Sequence, residues 1–325
     1  MVRDRQCNDR YDECTGTSGE GHVSPNRNVR AGRLAALTIV PMLAIVAACG
    51  VDTSSSVSGP AAPEPVVVGA SDTVESELVA RLYAGALEAG GRGTELVLGL
   101  GDRADRVAAL DANRVALVPD YTGRLLHWFD PDADVTDAED VFEALNKSLP
   151  EGLTVSDYAP ADDRSALVLS AAQADRLGAR SIGDIAPDCG GMTLYASDAF
   201  REDAQALSHL QSVYGCTFGA VVPVGSTADV ARELIVGASP VGGATAASPD
   251  VAQDELAVLA DDDEAFTAQN VVPLFRSGVL RADDVKALSV VMQLTTADLT
   301  DMVVRIRGGE TTSADAAGEW LAEHI

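Results

Sequence analysis

The chain has 325 residues, 46% of them hydrophobic and only 4% aromatic, and a formal net charge of −27 at pH 7. That length accommodates two medium domains. The acidity excludes a nucleic-acid partner, whose phosphates attract basic surfaces, and excludes attachment to anionic lipid by charge alone.

Residues 1–28 are polar, lack apolar periodicity and hold Cys7 and Cys14 in a loop-like context. Arg27, Arg30 and Arg33 then precede the apolar run Leu34–Val46, which ends in Ala47-Ala48-Cys49-Gly50. This is the order of a signal peptide: positive region, short apolar region, small-residue cleavage site. The run falls short of the roughly 20 apolar residues of a spanning helix. Residues 1–48 are therefore expected to hold a signal peptide together with an incorrectly assigned start over 1–22 or 1–28, with Val23 and Val29 as alternative initiators. The cysteine after Val46-Ala47-Ala48 resembles a bacterial lipobox, which implies that Cys49 carries lipid. The alternative is an ordinary secretory signal with a chance cysteine. Residues 49–65, rich in Ser, Pro and Gly, read as a flexible tether.

From Val66 onward strands and helices alternate. Val66–Gly69 is a β-branched strand. The helix after it is expected to be capped by Asp72, with Glu75 three residues on as in a capping box. Its stripe is Leu78, Leu82, Ala86 and Ala89, and Gly90-Gly91 ends it. Strand Glu95–Leu100, helix Arg103–Leu110 and strand Val115–Val118 follow. A helix from Tyr121 carries Leu125, Trp128 and Phe129, and another covers Asp137–Leu149. This reads as a parallel α/β unit. A second set begins at Ala166–Leu169. It continues through helix Ala171–Leu177, strand Met192–Ala196, helix Asp198–Tyr214, strand Ala220–Val224, helix Thr227–Val236, strand Ser239–Ala244 and strand Leu256–Leu259. Gln269–Phe275 is a strand placed to return to the first lobe. Helices at Ala282–Leu294, Thr296–Arg307 and Ser313–His324 close the chain. The expected fold is α/β and two-lobed with a ligand cleft between the lobes: lobe I from 66–167 plus 268–325, lobe II from 168–267.

Cys189 and Cys216 each precede a predicted strand. In an exported chain they are expected to pair, since parallel neighbouring strands bring their starts together; two separate buried thiols are the alternative. There is no Gly-x-Ser-x-Gly elbow and no Walker loop, and Gly99-Leu-Gly101 lacks a third glycine. The four histidines, His22, His127, His209 and His324, are scattered rather than spaced as metal ligands. No enzyme activity, cofactor or metal is expected.

Several segments, in this order, carry a resemblance to a known family: Val66-Val-Val-Gly-Ala-Ser-Asp72, Leu110-Asp-Ala-Asn-Arg-Val-Ala-Leu-Val-Pro-Asp-Tyr-Thr-Gly123, Tyr158-Ala-Pro-Ala-Asp-Asp163, Leu210-Gln-Ser-Val-Tyr-Gly215, Asn270-Val-Val-Pro273 and Leu294-Thr-Thr-Ala-Asp-Leu299. Over nearly all of 66–323 the chain resembles the substrate-binding proteins of bacterial osmoprotectant ABC importers, which take glycine betaine, choline, carnitine and related quaternary amines. The resemblance implies a two-lobed periplasmic-binding-protein fold of type II. It also implies an exported protein lipid-anchored at the outer face of the cell membrane, and ABC permease subunits as partners. In the family several tyrosines cage the trimethylammonium group by attraction to ring faces, and an arginine holds the ligand carboxylate.

This sequence keeps part of that site. Tyr121 matches the tyrosine of the Tyr-Thr-Gly motif. Other cage positions fall at Ser165, Thr245 and Gln269, the arginine falls near Asp203, with Arg201 two residues away, and a lysine common in the first turn is Ser71. Ser71, Asp72, Tyr121, Thr122, Ser165, Asp203, Thr245, Gln269 and Asn270 are thus the expected ligand-binding residues. The implied ligand is a small solute, quaternary amine or other polar or cationic compound, with more hydroxyl or amine groups than betaine. Asp203 would favour a cation if it faces the cleft, and would otherwise be a solvated helix-face charge. Trp128 is expected in the core. The alternative function is a sensing or scaffolding lipoprotein with a decayed pocket, uncoupled from transport.

Overall fold

The structure is a computed structural model, and it describes residues 64–236 and 240–325. The expected signal peptide, the alternative starts, Cys49 and the tether up to residue 63 lie outside the described residues.

The chain opens with β1 (Val66–Gly69), α1 (Val74–Ala89), β2 (Thr94–Val97), α2 (Arg103–Asp111), β3 (Leu117–Tyr121), α3 (Thr122–Phe129), α4 (Ala138–Ser148) and β4 (Leu153–Val155). It continues with β5 (Ser165–Ser170), α5 (Ala171–Leu177), α6 (Ile182–Ile185), β6 (Thr193–Ala196), α7 (Asp198–Arg201), α8 (Ala206–Tyr214), β7 (Ala220–Pro223), α9 (Thr227–Val236), β8 (Pro240–Thr245), α10 (Pro249–Gln253) and β9 (Leu256–Val258). It ends with β10 (Val271–Arg276), α11 (Ala282–Leu288), α12 (Thr296–Arg307) and α13 (Ser313–His324).

The strands form two sheets of five, in the orders β2-β1-β3-β10-β4 and β7-β6-β8-β5-β9. The first three strands of the first sheet are parallel, as expected, but β10 runs antiparallel to both β3 and β4, so the sheet is mixed. A lobe boundary at 167/168 would cut β5, all of which belongs to the second sheet. Period-2 alternation divides the first-lobe core. Val66 and Val68 join a cluster with α1, α11, α12 and α13, while Val67 faces the opposite cluster with Leu125, Val141 and Leu145.

Local chemistry corrects several expected boundaries. Thr73, not Asp72, caps α1: its hydroxyl accepts from the Ser76 N–H. The single helix expected at 198–214 is broken between α7 and α8, because the Asp203 carboxylate accepts the Gln205 N–H and offers the backbone a turn instead. The helix expected at 282–294 ends at Leu288 and tightens into a 3-10 turn over Ser289–Gln293. The short strand β4, after Gly152 at φ 94°, had no recognisable pattern.

Cys189 and Cys216 are joined by a disulfide with Cα atoms 5.4 Å apart. It lies where β6 and β7 start side by side, Thr193 opposite Ala220.

In the first sheet Pro119 stands opposite Pro273. Proline offers no N–H to a ladder and normally keeps to sheet edges. Here the outer ladders have already ended: β1 meets β3 only at Leu117, and β4 meets β10 only from Leu274 to Arg276. β3 therefore runs past its parallel neighbour, and at Asp120 and Tyr121 it is paired with β10 alone. The segments linking the two sheets, 156–164 and 259–270, lie side by side, with Asp162 bridged to Asn270. The Asp162 carboxylate also accepts the Gln269 and Arg164 N–H groups, each at 2.9 Å.

Candidate functional site

A cleft of about 760 Å³ lies between the two sheets. The first-lobe wall is the end of β3 with the starts of α1, α2 and α3; the second-lobe wall is the start of β5, the end of β8, the α7–α8 turn and the start of α9. Strand ends and helix starts meet here, as at the carboxyl edge of open α/β sheets.

Ser71, Tyr121, Ser165, Asp203, Thr245 and Gln269 all line the cleft. Ser165 and Thr245 are register partners on adjacent strands. Three residues expected beside them do not line it. Asp72 is exposed at the helix start. Thr122 is fully buried, donating to the Ala268 carbonyl and accepting the Asn270 N–H. Asn270 is 4% exposed and donates its side-chain amide to the Ala159 carbonyl. Thr122 and Asn270 instead pin α3 to the second linking segment.

Gly123 completes the motif for a packing reason. A Cβ at that position would lie 2.6 Å from the Ala268 carbonyl and 2.6 Å from Gln269 Nε2. The side-chain carbonyl of Gln269 accepts the Arg124 N–H at 2.8 Å, satisfying a donor at the α3 start.

Asp203 is not a helix-face charge. It sits half-buried in the α7–α8 turn, accepting from Ser165 Oγ at 3.2 Å and from the Gln205 N–H at 3.1 Å. The other half-buried or buried carboxylates of the cleft wall have basic partners. Asp120 pairs with Arg103 and Arg106, Asp163 with Arg124, and Glu75 and Asp250 with Arg307. Among the described residues Asp203 has no basic partner. Arg201 turns away to the exposed Asp198. Trp128, expected in the core, is 46% exposed and off the cleft wall, because α3 ends one residue later and nothing covers that face.

Arg124 was not anticipated, nor were Arg103, Arg106, Asp163 and Glu202. The available signal was helical spacing: Arg124 follows Tyr121 by three residues, and side chains three apart share a face. Its guanidinium carbon lies 4.7 Å from the Tyr121 ring centroid. Its Nη2 is 3.1 Å from Asp163, and its Nε is 3.8 Å from Glu202 on the opposite lobe. Burial alone would ease the proton off Arg124, but the carboxylates of Asp163 and Glu202 hold it on. Burial and the Asp163 carboxylate push the Tyr121 hydroxyl well above the usual phenol range, so the ring stays neutral. Tyr121 is the one Phe, Tyr or Trp ring on the cleft wall among the described residues. Among those residues there is also no group of three or more His, Cys, Asp or Glu side chains able to hold a metal ion.

The fold recurs in solved structures. A glycine betaine/carnitine/choline ABC transporter structure matches with a TM-score of 0.69 and 20% identity, over 80% of this chain and 98% of the other. Apo YehZ from Escherichia coli matches with a TM-score of 0.67 and 22% identity, over 80% and 98% of the two chains. Lactococcal OpuAC, closed and complexed with glycine betaine, matches with a TM-score of 0.52 and 14% identity, over 80% and 96%. No curated protein sequence matches the chain. Residues 64–323 match the family model OpuAC, described as the substrate binding domain of ABC-type glycine betaine transport systems. The chain belongs to that family: it is a substrate-binding protein of an ABC-type transport system, not an enzyme.

Proposed function

We propose that the protein is the exported receptor of an ABC importer for a small solute with a cationic head, distinct from glycine betaine and anchored by Asp203. The observation that carries this is the Asp203 carboxylate: half-buried, facing the cleft, oriented by Ser165 and the Gln205 N–H, and without a basic partner among the described residues. A half-buried carboxylate gains most from a cation that also donates hydrogen bonds. Ser165, Thr245 and Ser71 supply further polar groups along the cleft wall, where a trimethylammonium head would need ring faces.

Export rests on the signal-like run before Cys49, and attachment rests on lipid at Cys49. A diacylglyceryl group supplies the two chains that stable anchoring needs, and the Ser/Pro/Gly tether holds the lobes off the membrane, within reach of a permease. Among the described residues no single helix is long and apolar enough to cross a membrane.

Calorimetric titration of the wild type and Asp203→Asn with primary, secondary and quaternary amines, including glycine betaine, choline and carnitine, tests the reading. An amine bound by the wild type and lost by about tenfold or more in Asp203→Asn supports it. Micromolar binding of glycine betaine, or amine binding indifferent to Asp203, overturns it.

A further inference from the structure

We infer that Arg124 is a specificity-determining residue that occupies the cation seat on the Tyr121 ring and thereby shuts quaternary ammonium ions out of the cleft. The inference rests on the reading of the cleft as a site for a cationic solute, and deepens it by excluding one class of cation.

A trimethylammonium ion has no N–H to donate. Its affinity must come from ring faces at van der Waals range, and those contacts are worth most where water is excluded. Tyr121 is the one such ring on the wall, and it packs against the first-lobe core. Arg124 lies over it at 4.7 Å. The guanidinium is not free to swing away. The α3 backbone fixes its root, with its own N–H bonded to Gln269 at 2.8 Å. Asp163 then holds its tip through Nη1 and Nη2, at 3.2 and 3.1 Å. The side chain is only 17% exposed. A quaternary ligand would have to displace a buried ion pair to reach the ring and leave Asp163 stranded, which is costly. An ammonium with N–H groups has no such need, because Asp203 accepts its hydrogens elsewhere on the wall.

The test is titration of tetramethylammonium chloride into the wild type, Arg124→Ala, Tyr121→Leu and the Arg124→Ala/Tyr121→Leu double variant. The expected result is binding about tenfold tighter in Arg124→Ala than in the wild type. That gain disappears in the double variant, and Tyr121→Leu alone changes nothing. No gain in Arg124→Ala overturns the inference. So does a gain that persists without the ring, which would reflect only the lost positive charge. Should Arg124→Ala fold poorly because Asp163 is left unpaired, Arg124→Ala/Asp163→Asn removes both charges and is read the same way. The Tyr121→Leu arm stands by itself, because weaker tetramethylammonium binding there would show an open ring in the wild type. Failure of the receptor reading looks different: no amine then binds the wild type in an Asp203-dependent way, whatever Arg124→Ala does.

Discussion

The Ser165 hydroxyl donates to the Asp203 carboxylate at 3.2 Å, tying the first residue of β5 to the turn between α7 and α8. One oxygen of Asp203 is thus held by the sheet and the other by the Gln205 N–H. Ser165→Ala removes the first contact without opening a large cavity. A net hydrogen bond to a charged group is worth about 1.5 kcal/mol or more, so affinity for an Asp203-dependent amine is expected to fall by about tenfold. Thermal stability should stay close to the wild type, and calorimetry beside a melting curve separates the two.

Gly123 cannot accept a side chain. Its missing Cβ would meet the Ala268 carbonyl and the Gln269 side chain, and a backbone carbonyl does not move aside cheaply. Gly123→Ala is expected to destabilise by about 2 kcal/mol through overpacking and to weaken ligand binding by shifting Gln269 and the start of α3. Denaturant unfolding and ligand titration of the variant check both effects.

Asp120 sets an acid limit on the first lobe. Burial by itself would raise its carboxyl, but Arg103, Arg106 and the Tyr121 N–H overcome that and hold it below the usual range. Its folded pKa is depressed, so its stabilisation is fully present above the unfolded value of about 3.9. It is lost as pH falls through the folded value. The melting temperature is expected to drop on acidification below about pH 4. Asp120→Asn should cost about 3 kcal/mol at neutral pH, by leaving two arginines short of a partner, and should flatten the acid limb.

The Cys189–Cys216 disulfide closes a loop with a sequence separation of 27 residues. Loop-closure entropy for that length is worth about 3.5 kcal/mol. Both cysteines are nearly fully buried, so reduction requires opening of the second lobe. Cys189→Ser/Cys216→Ser is expected to lower the melting temperature by several degrees, and a reductant should have little further effect on the variant.

How much of this was legible in the sequence depends on the range of the interaction. Strand and helix order followed from β-branched runs, caps and glycine stops, because those signals are local. The return of β10 could be read from its apolar run, but its antiparallel direction could not, since direction is set by where the linking segments lie. The helix at 198–214 was read as continuous because the apolar stripe persists through it. Only the Asx turn at Asp203 breaks it, and that break brings Asp203 to the cleft. Asp72, Thr122 and Asn270 were placed at the ligand by motif position, yet Asp72 is exposed, and the side chains of Thr122 and Asn270 bond backbone groups of the linking segments. The Arg124–Tyr121 pair was within reach of helical spacing, whereas its partners Asp163 and Glu202 come from distant parts of the chain and leave no local trace.

A crystal structure of the closed protein with its amine ligand bound tests most directly whether Asp203 holds the cationic head. The ligand ammonium is expected within about 3 Å of an Asp203 oxygen, with Arg124 still over the Tyr121 ring and still paired with Asp163. An ammonium seated on the Tyr121 ring, with Arg124 swung out and Asp203 facing only water, would contradict that expectation.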